Sequence, residues 1–170
     1  MGEQALLPRD VQGLATSCLV GAIWLDGFGG RKMEWETMKG EEVDKMLSEG
    51  KDFLVCPEHK TSHTYGSLAK WLSPGVRAAV ELYRQLPRRP EVDTFLVPAS
   101  ATTAKVDVPK AFATFCAQRF PGFDSKPTVN LMRKFFHKSL MEITKDSNWR
   151  FAMASPNSDF KHGYQNLTSQ

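Results

Sequence analysis

The amino-acid sequence predicts a single α+β domain, mainly helical, with one small antiparallel β-hairpin. Three observations lead there. The chain has 170 residues, 41% hydrophobic and 24% charged, which suits one globular domain with a sizeable core. Most apolar residues recur at helical spacing. That period is broken clearly once, around residues 52–72, where two short apolar runs flank a polar turn. The same composition excludes wholesale disorder, a collagen-like repeat and a disulfide scaffold.

The first helix is predicted over Val11–Phe28. Val11, Leu14, Ala15, Cys18, Leu19, Ala22 and Ile23 recur at i, i+3, i+4, i+7, Val20 and Trp24 widen the stripe, and Gly27, Gly29 and Gly30 stop it. A more acidic helix covers about 40–49, and Gly50 ends it. Asp52–Cys56 reads as a strand, Pro57–Gly66 as a loop or hairpin turn and Ser67–Leu72 as the returning strand. Ser73 is an N-cap with Pro74 at the first helical position, and Val76, Ala79, Val80 and Tyr83 form the buried stripe of a helix that Pro87-Arg-Arg-Pro90 ends. Val92–Val97 reads as a strand or extended segment. Asp107 caps a helix with Val108, Ala111, Phe112, Phe115 and Cys116 on one face. Thr128 caps the next, with Met132, Phe135, Phe136, Leu140 and Ile143 as its stripe. A shorter helix is predicted around 147–154, followed by a polar tail carrying Tyr164.

Net charge is +3, and it is polarised. Residues 1–57 hold 6 basic and 10 acidic residues, whereas residues 101–170 hold 10 and 5. A basic second half suits a nucleic acid or another polyanion, although charge alone favours solvated helix faces. Three widely spaced cysteines, Cys18, Cys56 and Cys116, favour a reducing compartment. No run of eighteen apolar residues is present to span a membrane, and the N-terminal MGEQALLPRD lacks the pattern of a signal peptide.

Four places have spacings that carry chemistry. In Gly29-Gly30-Arg31-Lys32-Met33-Glu34, an arginine after a glycine turn stands near a helix N-terminus, where backbone N–H groups also gather, and both suit a phosphate. Glu34 is placed to hold the guanidinium by an i, i+3 pair; a plain surface ion pair is the alternative. Lys60, in His59-Lys60-Thr61, sits in the hairpin turn, as a proton donor to a groove or as an ordinary solvated lysine. Asn130 and Arg133 share a face at the start of a helix. Tyr164, beside Lys161 and His162 in a polar stretch, is a nucleophile or an anchor of the tail. Cys56, His59 and His63 supply only three metal ligands with no partner Cys pair at finger spacing, so no metal site is assigned.

Taken in order, glycine turn–Arg–x–x–Glu, hairpin lysine, x–x–Arg opening a helix and a late tyrosine resemble the catalytic domain of tyrosine recombinases (phage-integrase-like). The His-Lys-Thr…Tyr-Gly and Arg133-Lys134 flavour is similar to eukaryotic Crypton-type transposon recombinases and their domesticated relatives. The resemblance covers nearly the whole chain. It implies Arg31 and Arg133 as the two catalytic arginines, Lys60 as the proton donor and Tyr164 as the nucleophile, with Glu34 in support. Asn130 stands where the family has histidine, and Ser155, nine residues before Tyr164, stands where it has His or Trp. His162 is a candidate substitute imidazole, and Lys32, Lys134 and Lys161 are the candidate DNA-binding lysines.

The function implied is metal-free and cofactor-free DNA breaking and rejoining through a 3′-phosphotyrosyl intermediate. Duplex DNA is the implied partner, with a homo-oligomer on the DNA allowed, no membrane, and a nuclear location if the source is eukaryotic, otherwise intracellular. The expectation is one catalytic-type domain over residues 1–170, without the family's N-terminal DNA-clamping domain. Whether it is an active enzyme stays open. Active strand transfer is the first reading; the two substitutions support the second, a domesticated DNA-binding module with weak or no chemistry, and a protein-interaction domain unrelated to DNA is the third.

Overall fold

The computed structural model describes residues 5–26, 29–56, 67–122 and 127–144. The architecture is α+β and mostly helical. Its elements are α1 (Arg9–Leu25), α2 (Lys32–Glu36), α3 (Gly40–Ser48), β1 (Phe53–Cys56), β2 (Leu68–Trp71), α4 (Pro74–Arg84), α5 (Val108–Arg119) and α6 (Val129–Thr144). β1 and β2 pair antiparallel with Phe53 opposite Trp71 and Leu54 opposite Lys70. The predicted helix at 147–154 and the tail lie outside the described residues.

The caps read from sequence are formed. The Ser73 hydroxyl accepts from the Val76 N–H at 3.2 Å, the Asp107 carboxylate from the Lys110 N–H at 3.1 Å, and the Thr128 hydroxyl from the Leu131 N–H at 3.1 Å. Each satisfies a donor that the first helical turn leaves without a partner. Gly50 closes α3 in the left-handed region at φ 63°.

α1 is the central helix, packing on α4, α5 and α6. Its C-terminal half buries the predicted Leu19, Val20, Ile23 and Trp24. Phe115 of α5 lies directly on Gly21, where there is no room for a Cβ. The N-terminal half differs from the predicted stripe: Val11, Leu14 and Cys18 are exposed, and Gln12, Thr16 and Ser17 are buried. The reason is a polar network. Tyr83 of α4 is buried, and its hydroxyl accepts from the Val97 N–H at 3.0 Å and the Gln12 amide at 3.2 Å. Thr16 lies 2.8 Å from the same hydroxyl and donates to the Val97 carbonyl at 3.2 Å. Leaving these backbone groups dry and unpaired would cost more than exposing two aliphatic side chains.

The core runs from this network through Tyr83, Phe95, Trp35 and Trp24, with successive ring centroids 5.4, 6.4 and 6.4 Å apart. Phe95 belongs to the predicted 92–97 segment, which forms no strand and bends at Phe95 and Leu96. Thr94 makes one antiparallel bridge to Lys39, and the Phe95 N–H donates to the Met38 carbonyl at 2.6 Å. In α6, Val129 is buried and Met132 packs against the core, whereas Phe135, predicted in the same stripe, is 60% exposed.

Candidate functional site

The Gly29–Glu34 stretch is a built turn. Gly30 has φ 67°, which an L side chain adopts only with strain. Arg31 returns to extended geometry as the residue preceding α2. The Gly29 carbonyl accepts from the Trp35 indole N–H at 2.6 Å and from the Lys70 ammonium at 3.2 Å. The Glu34 carboxylate reaches back to accept the Arg31 backbone N–H at 3.2 Å and pairs with Lys70 at 2.6 Å. Both side chains of that pair are buried, Lys70 at 1% and Glu34 at 0% exposure.

This corrects one expectation. Glu34 holds the backbone of Arg31 and the ammonium of Lys70, not the Arg31 guanidinium. A buried ammonium without a counter-charge is far more costly than an unpaired guanidinium that keeps access to water, so the carboxylate turns inward. Arg31 is half-buried, and among the described residues its guanidinium makes no hydrogen bond or ion pair. Lys32 beside it is exposed.

Lys70 is the residue that sequence reasoning misses. Its signal is the period of the returning strand: Ala69 and Trp71 point outward, so Lys70 shares the inward face with Leu72. A lysine on a core face requires a carboxylate partner, and the nearest glycine turn with a glutamate supplies it.

The second group stands on α6. Asn130 and Lys134 are exposed and Arg133 is half-buried, at the edge of the packed Val129–Met132 face. Thus Arg31, Glu34 and Lys70 form one cluster, and Asn130, Arg133 and Lys134 share the first turns of another helix. Lys60, Ser155, Lys161, His162 and Tyr164 lie outside the described residues.

Cys56, on the inward face of β1, is 1% exposed, and burial pushes its thiol up to about 12. It therefore stays protonated at neutral pH. Among the described residues no group of His, Cys, Asp and Glu is gathered for a metal, and no helix is long and apolar enough to cross a membrane. No protein-family model, curated protein or solved structure matches this chain.

Proposed function

We propose that this chain acts on duplex DNA as a strand-breaking and rejoining domain of the tyrosine-recombinase type. The observation that carries the reading is the Gly30 turn: it ends in an arginine whose backbone is fixed by Glu34 and whose guanidinium has no partner among the described residues. An arginine so held suits a bidentate hold on a phosphate.

In this reading Arg31 and Arg133 stabilise the charge on a five-coordinate phosphorus. The Tyr164 hydroxyl gives up its proton to solvent as its oxygen attacks phosphorus, the bond to the 5′-oxygen breaks, and Lys60 gives that oxygen a proton. A 5′-hydroxyl from another strand reverses the step and frees Tyr164, so the bond energy is conserved and no ATP is consumed. A nicked suicide substrate tests it. The wild type should leave a covalent protein–DNA adduct and Tyr164→Phe should not, with binding nearly intact. An adduct that persists in Tyr164→Phe moves the nucleophile elsewhere.

One observation favours a second reading, a domesticated binding module. Asn130 is neutral and exposed on α6 at the position where the recombinases carry a histidine. An amide can donate one hydrogen bond to a phosphate oxygen but cannot carry the charge of an imidazolium. DNA binding that depends on Arg31 and Arg133, without any adduct, selects this reading.

A further inference from the structure

We propose that Lys70 is a positioning residue for Arg31, acting through the Gly29–Gly30 turn without itself touching the bound anion. The proposal rests on the DNA reading for what Arg31 binds, but not for how Arg31 is held.

Lys70 comes from the returning strand of the hairpin, 39 positions beyond Arg31 in sequence. Its ammonium crosses the core to two points of one turn, the Gly29 carbonyl and the Glu34 carboxylate. These are the residues that flank Gly30 and Arg31. The same Glu34 oxygen that pairs with Lys70 accepts the Arg31 N–H, so the ammonium and that N–H are gathered on a single atom. The other Glu34 oxygen is buried with no hydrogen bond, which leaves the carboxylate dependent on this one arrangement. The ammonium also occupies the space next to Gly30 in which a Cβ would lie. The lysine in this position therefore requires glycine at residue 30.

A consequence for Arg31 follows from the geometry. With Lys70 removed, the buried Glu34 side chain loses its counter-ion. The Arg31 guanidinium, three residues away at the start of the same short helix, is the cation placed to replace it. An inward swing of Arg31 would neutralise Glu34 and withdraw the guanidinium from any external phosphate. Lys70 thus keeps Glu34 satisfied so that Arg31 remains available.

The test is a double-mutant cycle read in duplex DNA binding at fixed low salt. Arg31→Ala should weaken binding about tenfold, the loss of one charge-assisted contact. Lys70→Met should weaken it by a similar factor, and the double variant should be no weaker than either single one. Val80→Ala, a core truncation away from the turn, should destabilise the protein without changing affinity. If Lys70→Met does not fold, Lys70→Met combined with Glu34→Gln removes the buried charge and retains an acceptor for the Arg31 N–H. The neutral amide in that combination has no charge with which to draw Arg31 inward, so affinity should return toward wild type.

A folded Lys70→Met protein that binds as wild type overturns the proposal. So does a double variant whose losses simply multiply, because Lys70 then acts independently of Arg31. If the wild type binds no DNA, the DNA reading fails and positioning is read directly from the amide resonances of Gly30 and Arg31. Large shifts confined to those two amides and Glu34 in Lys70→Met sustain the proposal, and unchanged shifts overturn it.

Discussion

Gly30 shows how much one residue can decide. Its φ of 67° places an added Cβ in the strained left-handed region and against the Lys70 ammonium and the Glu34 carboxylate. Backbone strain alone costs roughly 1–2 kcal/mol. Displacing a buried ion-pair partner costs roughly 3–5 kcal/mol. Gly30→Ala is expected to lose about 3 kcal/mol or more in urea unfolding, against a few tenths for Gly122→Ala, where the added atom meets nothing. A loss below about 1 kcal/mol at Gly30 would mean that the turn relaxes. Tyr83 makes the complementary case. Its hydroxyl bonds Thr16, Gln12 and the Val97 N–H deep in the core, and burial pushes its pKa up, so it stays protonated. Tyr83→Phe leaves the Val97 N–H without its acceptor and is expected to cost about 1–3 kcal/mol.

At the scale of elements, α3 and α4 are clamped by an ion pair in which both Asp44 carboxylate oxygens accept from the Arg84 guanidinium. The Arg84 hydrogen bond holds the Asp44 carboxyl below its ordinary value of 3.8. A lowered folded-state pKa gives stability that is present above the unfolded pKa and lost as pH falls through the folded one. Asp44 is half exposed, so solvent screening keeps the contribution within about 1 kcal/mol. Asp44→Asn should therefore be less stable than wild type at neutral pH, and the two should converge in acid, below the folded-state pKa. A gap that persists in acid would point to packing rather than charge.

What is legible in the sequence is local. Ser73, Asp107 and Thr128 announce helix starts because a capping side chain acts within three residues. The hairpin strands show because side chains alternate along them. What stays hidden depends on long-range partners. The inward face of α1 is set by Tyr83 and Val97, 67 and 81 positions away from Thr16. The partner of Glu34 is likewise a distant strand residue, whereas the arginine three positions away is the natural local choice. The Arg31 turn is legible as glycine, arginine and glutamate, but the division of labour among them is not.

For the whole molecule, charge is the quantity that binding to DNA would read. Residues 1–57 are net −4 and residues 101–170 net +5, so a polyanion is drawn to one part of the chain and repelled by another. If Arg31, Lys32, Arg133 and Lys134 each meet one phosphate, about four counterions are released. The logarithm of the binding constant then falls with the logarithm of salt at a slope of roughly −3.6. Arg31→Ala should flatten that slope by about 1, and so should Arg133→Ala, since each removes one phosphate contact. Reversing Glu41 and Glu42, in the acidic first turn of α3, should raise affinity slightly through the general field. Because those two residues release no condensed counterions, the slope itself should hardly change. Affinity and slope thus separate residues that touch phosphate from residues that only shape the potential. Binding that is constant from low to high salt, or a slope indifferent to both arginines, would remove DNA as the partner and leave the basic half as a solvated surface.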